Sequence, residues 1–179
     1  MLYISAQPDT TYFIWQLELQ LRNFKSFEIK KENIHVLIAY DKELGLNPKF
    51  KEFLLINNHL ATFYPYPDLR VESKYKSSVR PNILKQHFAK FPDLEFTTFM
   101  YHDSDILLSR IPQTEDTDAN EICIVSDTRN YLDINYIRSV GSEKLLDDML
   151  NCIGLDKGKL EKEDKNTGGA KYILNGIKA

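Results

Sequence analysis

Short runs of hydrophobic residues alternate with helical repeats over the first half of the chain. The apolar runs, which are typical of buried strands, occupy residues 2–5, 34–40, 60–66 and 96–101. Between them, apolar side chains recur every three or four residues, as they do in amphipathic helices. The order strand, helix, strand, helix, strand, helix, strand predicts an α/β fold, with a mainly parallel sheet flanked by helices.

Capping and breaking residues predict where the helices begin. Asp9 or Thr10 suits the N-cap of the first helix, and Pro48 suits the first turn of the second. In the first helix, Trp15 and Leu19 form a second apolar face beside the main one. This second face predicts that the helix packs on two sides.

The second half of the chain is more polar. Residues 113–120 predict a loop and residues 122–125 a further strand, while Ser142 and Gly154 suit the two ends of a helix. The charged residues 156–165 predict a solvated connection or a short surface helix. The whole of residues 1–179 is therefore expected to form one domain.

The composition is that of a folded protein without a basic surface. The chain has 179 residues, of which 42% are hydrophobic, so we expect a sizeable core. Its formal net charge of -3 gives no support for electrostatic binding to nucleic acid. Two cysteines are too few for a disulfide framework. No apolar run is long enough to span a membrane and no basic leader is present, so we expect a cytoplasmic protein.

Two acidic residues stand where the predicted strand 96–101 ends. In an extended chain Asp103 and Asp105 would point the same way, with Ser104 facing elsewhere. Paired carboxylates suit Mg²⁺ or Mn²⁺, whose other positions can be filled by water and phosphate oxygens. Such a triplet is also typical of surface turns and helix caps. The hydrophobic residues that precede it favour a site at the end of a buried strand.

Three segments resemble the GT-A family of nucleotide-sugar glycosyltransferases. They are Tyr3-Ile4-Ser5-Ala6, Tyr101-His102-Asp103-Ser104-Asp105 and Asn166-Thr167-Gly168-Gly169-Ala170. Within that family the chain is most similar to glycosyltransferase-like proteins and to the group that glycosylates peptidyl serine or hydroxyproline. The resemblance implies a GT-A-like fold, related to the Rossmann fold, over nearly the whole chain.

The resemblance also implies a donor site and a metal site. Ala6, Gln7 and the following Pro8 would lie beside the nucleotide, with Asp41 near the base or ribose. Asp103 would contact the ribose, or the metal through water. The direct metal ligand would be the second carboxylate of the triplet, Asp105.

The resemblance places the third segment near the donor sugar or the acceptor. Asn166, Gly168 and Gly169 would lie there, since glycines allow close backbone approach to a ligand and adopt positive φ.

Other side chains have two interpretations each. Arg80 and Lys85 precede the strand of the triplet and could neutralise a diphosphate, or could be ordinary surface charge. Asp127 could act as the general base of an inverting reaction, or could form a turn with Arg129. His102 adjoins the triplet and is expected to make a structural hydrogen bond.

These inferences predict a transferase. It would move a sugar from a nucleoside-diphosphate sugar, with uridine diphosphate (UDP) implied by the resemblance, to a hydroxyl on a glycan, peptide or small molecule. Many GT-A enzymes complete the metal shell from a segment beyond the glycines. The chain would then be a truncated or degenerate member, or its metal shell would be completed by water and phosphate. The alternatives are a non-catalytic nucleotide- or glycan-binding module and a metal-dependent phosphoesterase.

Overall fold

The computed structural model describes residues 1–71, 75–112 and 124–174. The strands within them are β1 (Leu2–Pro8), β2 (Ile34–Tyr40), β3 (Thr62–Pro67), β4 (Phe99–His102), β5 (Ile124–Ser126) and β6 (Gly169–Leu174). The α-helices are α1 (Tyr12–Ser26), α2 (Pro48–Asn57), α3 (Val79–Lys90), α4 (Ile134–Val140), α5 (Glu143–Ile153) and α6 (Lys157–Glu163). The predicted loop at residues 113–120 and the first two residues of the predicted strand 122–125 lie outside the described residues.

The first four strands lie side by side in the order β3-β2-β1-β4, and β6 lies beside β5. The pairs β1–β2, β1–β4 and β2–β3 are parallel, and helices α1, α2 and α3 connect the strands of these pairs. The predicted mainly parallel sheet is thus confirmed for the first four strands. Because parallel strands share a direction, their carboxyl ends meet at one edge of the sheet.

Strand boundaries differ from those predicted. β1 continues beyond residue 5, and its last two residues, Gln7 and Pro8, pair with Ile38 and Ala39 of β2. The strand predicted from residue 96 begins at residue 99, because residues 92–96 form a 3₁₀ turn. β3 is predicted at residues 60–66 and spans Thr62–Pro67; it contains Pro65, which an edge strand tolerates since one side needs no backbone donor.

Contacts divide the chain into two compact units. Unit 1 comprises Met1–Cys123 and Ile173–Ala179, and unit 2 comprises Ile124–Tyr172. In unit 1 alternate residues of β1 pack into two cores: Tyr3 faces the core under α1 and α2, and Ile4 faces the core that includes residues of α3.

Unit 2 has a small core of its own, formed by Ile134 of α4 with Leu146 and Leu150 of α5. Both ends of helix α5 lie at the residues predicted for them, Ser142 and Gly154. Ser142 Oγ accepts a hydrogen bond from the Leu145 amide, and Gly154 closes the helix at φ +67° in the left-handed region.

Helix α1 does not pack on two sides. Trp15 and Leu19 are about half exposed, so the predicted second apolar face lies on the surface. Its buried face includes two polar residues, Gln16 and Gln20. The helix begins after Thr11 without a side-chain cap, contrary to the cap predicted at Asp9 or Thr10.

No helix in the described ranges is long and apolar enough to cross a membrane.

Candidate functional site

An aspartate directly follows each of the four parallel strands of unit 1. Asp9 follows β1, Asp41 follows β2, Asp68 follows β3 and Asp103 follows β4. The strand directions bring all four to the same edge of the sheet. Sequence reasoning identified Asp41 and Asp103 as site residues and missed Asp68. The signal available was the repeated placement of an acidic residue at the end of a strand.

A cavity of about 320 Å³ lies at this edge, where β1, β2 and β3 end. Its lining includes Pro8, Asp41, Asp68, Arg70, Lys76 and Val79. The structure thus places Pro8 and Asp41, both predicted near a nucleotide, in one cavity. Arg70 and Lys76 bring positive charge to its lining, which also contains the carboxylates of Asp9, Asp41 and Asp68.

Hydrogen bonds fix the acidic side chains of this cavity. Arg70 binds Asp68 with Nη2 at 2.6 Å and Nε at 2.9 Å, and these bonds hold the pKa of Asp68 below its usual value. Asp41 Oδ1 accepts the amides of Glu43 at 2.8 Å and Leu44 at 3.0 Å, and so closes a turn.

An ion pair joins α3 to the end of β4. Arg80 Nη1 lies 2.9 Å from Asp103 Oδ1, and both side chains are partly buried. Arg80 follows Val79, a residue of the cavity wall, in the first turn of α3. Two residues predicted to bind the donor are therefore in direct contact, next to the cavity. Lys85, the other cation considered, is exposed on α3.

The triplet Asp103-Ser104-Asp105 is not extended. β4 ends at His102, and Ser104 and Asp105 form a turn, so the alternation expected of a strand does not apply to them. Ser104 is buried, and its hydroxyl donates to Gln16 Oε1 at 2.7 Å. Asp105 is exposed. His102 Nδ1 lies 3.0 Å from the Asp103 carbonyl, the structural hydrogen bond expected of it.

The side chains of Ala6 and Gln7 are buried, with 2% and 1% of their surfaces exposed. Contact with a nucleotide would therefore involve the backbone of these two residues, and their predicted place beside the nucleotide stays a prediction. Gln7 Nε2 donates to the Leu37 carbonyl at 2.7 Å and ties β1 to β2. In the described part of the chain its Oε1 has no hydrogen-bond partner.

The chemistry of the donor set at β4 fits a hard divalent cation. Asp103 and Asp105 supply carboxylate oxygens, which Mg²⁺ and Mn²⁺ prefer, although one oxygen of Asp103 is bound by Arg80. Among the residues that the structure describes, no three histidine, cysteine or acidic side chains cluster in a way that could hold a metal. A cation at the two aspartates would take its other ligands from water and phosphate.

The remaining predicted site residues belong to unit 2. Asp127 is exposed and binds Arg129 through Nε at 3.0 Å and Nη2 at 2.8 Å. These bonds lower the pKa of Asp127, which makes it a weaker proton acceptor. Asn166 is also exposed, and its Nδ2 donates to Glu163 Oε2 at 2.8 Å. Their predicted roles as base and sugar ligand stay predictions.

Gly168 and Gly169 are required by packing within unit 2. A Cβ on Gly168 would contact the side chain of Val125 and lie 2.7 Å from the Ser126 carbonyl. A Cβ on Gly169 would lie 2.9 Å from Thr128 Oγ1. Positive φ, the property expected of these glycines, occurs instead at Gly45 and Gly154 among the described glycines.

We expect Gly168→Ala to destabilise the protein by about 1–3 kcal/mol, because backbone at Ser126 cannot move cheaply to admit a methyl group. Equilibrium unfolding in urea measures this change. Gly158→Ala is the matched control: Gly158 lies in the first turn of α6, where a Cβ would meet only the Asp156 side chain, at 3.2 Å, so stability should change by less than about 1 kcal/mol. Equal stability of Gly168→Ala and the wild type would contradict the packing argument.

Comparison with known proteins supports the fold. No protein-family model and no curated protein matches the sequence. The structure is similar to that of the galactosyltransferase LgtC, solved in complex with donor and acceptor sugar analogues, at a TM-score of 0.52 and 15% sequence identity. The similarity covers 99% of this chain and 59% of that protein, so the chain spans less than two thirds of LgtC's length. The chain therefore has the GT-A-like α/β fold predicted from its sequence.

Proposed function

We propose that this protein is a glycosyltransferase that binds a nucleoside-diphosphate sugar at the carboxyl edge of β1–β4 and transfers the sugar to a hydroxyl acceptor. The observation that carries the proposal is the Arg80–Asp103 ion pair at the end of β4, beside a cavity at the ends of β1, β2 and β3. Ligands of open α/β sheets bind at this edge.

The nucleotide would occupy the cavity that Pro8 and Asp41 line. Its diphosphate would meet the positive charge of Lys76, since the guanidinium of Arg70 is already paired with Asp68. Helices α1 and α3 have no acidic residue in their first turns, so no carboxylate there offsets the positive end of either helix dipole. UDP is the nucleotide implied by the family resemblance.

The divalent cation would be held by Asp103 and Asp105. When bound, it supplies positive charge that offsets the charge of the diphosphate leaving group. Arg80 holds Asp103 in place and adds a guanidinium that can donate to phosphate or sugar oxygens. The acceptor is a hydroxyl of a glycan, peptide or small molecule, and the cytoplasmic location expected from the sequence is part of the same proposal.

A second candidate is a module that binds nucleotide or glycan without catalysis. Two observations favour it: the absence of a third metal-binding side chain near the two aspartates among the described residues, and the ion pair that makes Asp127 a weak base.

Isothermal titration with UDP, with and without Mn²⁺, tests the proposal. We expect binding that strengthens when Mn²⁺ is present, followed by slow hydrolysis of a UDP-sugar when water replaces the acceptor. Binding without hydrolysis or transfer would favour the non-catalytic module. Release of phosphate from simple esters, with no sugar transfer, would favour a phosphoesterase, and no binding of UDP at all would contradict the proposal.

A further inference from the structure

We infer that helix α1 positions the proposed cation ligands through three side-chain amides, Gln16, Gln20 and Asn23, which we call the amide face. The inference rests on the proposed function, because it assigns these residues a role at the site formed by Asp103 and Asp105. Spacings of four and three residues place the amides on one side of the helix. Each hydrogen-bonds to the segment that follows β4.

The first contact holds the triplet itself. Gln16 Oε1 accepts a hydrogen bond of 2.7 Å from the Ser104 hydroxyl, and both residues are buried. Ser104 stands between the two aspartates in sequence. Its side chain is thus fixed in the interior, while Asp103 contacts Arg80 and Asp105 faces solvent.

The second contact holds the backbone of the first aspartate. Gln20 Nε2 donates to the Asp103 carbonyl at 3.0 Å, and His102 Nδ1 lies 3.0 Å from the same oxygen. A carbonyl oxygen can accept two hydrogen bonds, so both donors are accommodated when Nδ1 carries the imidazole proton. Gln20 and His102 are fully buried.

The third contact closes the segment. Asn23 Nδ2 donates to the Leu108 carbonyl at 3.1 Å, and the Leu108 amide donates to Asn23 Oδ1 at 2.8 Å. This reciprocal pair fixes the backbone at residue 108. The amide face therefore holds both ends of residues 103–108.

Stability alone does not account for amides at these positions. Gln16 and Gln20 share the buried face of α1 with Leu17, Leu21 and Phe24, which contribute more by apolar burial than an amide does. Hydrogen bonds add direction instead, because they are satisfied in only one placement of the segment. Side chains that orient the ligands of a metal affect its affinity without touching it.

Paired substitutions separate positioning from stability. Ser104→Ala or Gln16→Met leaves one buried partner unsatisfied, so each should lower the melting temperature. The double variant removes both partners and should recover most of that loss. If the amide face positions the ligands, affinity for Mn²⁺ in the presence of UDP is about 10- to 100-fold weaker than in the wild type in all three variants, including the double variant. Recovery of Mn²⁺ affinity together with melting temperature in the double variant would overturn the inference.

Hydrogen exchange provides a measurement that needs no metal. Amides of residues 103–108 should exchange at least about tenfold faster in the double variant than in the wild type. Asn57→Leu is the control, since the Asn57 amide donates to the Phe53 carbonyl within α2, and it should change neither this exchange nor Mn²⁺ affinity. Unchanged exchange in the double variant overturns the inference. A wild-type protein that fails to bind Mn²⁺ with UDP instead overturns the proposed function.

Discussion

Asp105→Asn is expected to abolish Mn²⁺-dependent binding of a nucleotide sugar and to leave the fold intact. The substitution preserves the shape of the side chain and removes its negative charge, so a direct ligand to a hard cation loses most of its attraction. The loss of affinity should be at least about 100-fold, beyond the 10- to 100-fold cost of changing residues that only orient ligands.

The environment of Asp105 explains why the fold should tolerate this change. The side chain is exposed and makes no hydrogen bond or ion pair with any residue that the structure describes. A capping aspartate would accept a backbone amide, as Asp133 does from Tyr136 at the start of α4. The alternative that Asp105 is a cap therefore has no support among the described contacts, and its carboxylate is available to a ligand.

Titration of the wild type and Asp105→Asn with Mn²⁺ in the presence of UDP measures the effect, and a melting curve of each protein without ligand measures stability. Asp148→Asn is the matched control, because it removes one exposed aspartate charge from α5 in unit 2. It should leave Mn²⁺-dependent binding unchanged. Equal binding by Asp105→Asn and the wild type would remove the metal site from the proposed function.

The sequence was sufficient to predict the parallel strands and the edge where their carboxyl ends meet. Runs such as residues 34–40 are apolar at almost every position, which is typical of strands covered on both faces. Their order along the chain restricts the connections to parallel crossovers. Asp41 and Asp103 were therefore predictable as residues of one edge.

The orientation of α1 was not predictable in this way. Hydrophobicity favours Trp15 and Leu19 as buried residues over Gln16 and Gln20, yet the structure buries the two amides and exposes the larger apolar side chains. The hydrogen bonds that Ser104 and Asp103 offer determine the outcome, and these partners lie more than eighty residues away in sequence. A pattern within one helix contains no information about such partners.

Three polar side chains, joined by hydrogen bonds, lie at the core that Ile4 shares with residues of α3. Tyr66 Oη lies 2.8 Å from His87 Nδ1, and His87 Nε2 lies 3.0 Å from His35 Nδ1. His87 is fully buried. The ammonium group of Lys90 lies over the ring of Tyr66. Burial lowers the pKa of His87 to about 3, with further lowering by His35 and Lys90.

The same burial affects the other two side chains. Burial lowers the pKa of His35 to about 4. A hydrogen bond between this ring and the backbone of Glu32 has the opposite, smaller effect. Burial also raises the pKa of Tyr66 to about 12, so the tyrosine keeps its proton. All three groups are consequently uncharged in the folded protein near neutral pH.

Stability is therefore expected to fall as the pH drops from about 7 to about 5. In the unfolded chain each histidine titrates near pH 6.5, so acid protonates the unfolded state first and favours it. Linkage gives a loss of about 2 kcal/mol in unfolding free energy for each histidine over this interval, and somewhat less for the partly exposed His35. The loss continues as the pH falls to the pKa values of the folded protein, about 4 for His35 and about 3 for His87. Carboxylates add little above pH 5, because their unfolded values lie near pH 4.

Urea unfolding at several pH values between about 5 and about 7 measures this dependence, with His87→Gln and His59→Gln as the variants. Glutamine at position 87 keeps a hydrogen-bonding side chain but cannot titrate, so the fall in unfolding free energy should shrink by about 2 kcal/mol. His59 is exposed on the surface, and its replacement should leave the slope unchanged. An identical pH dependence for the wild type and His87→Gln would show that His87 is not held neutral by its burial.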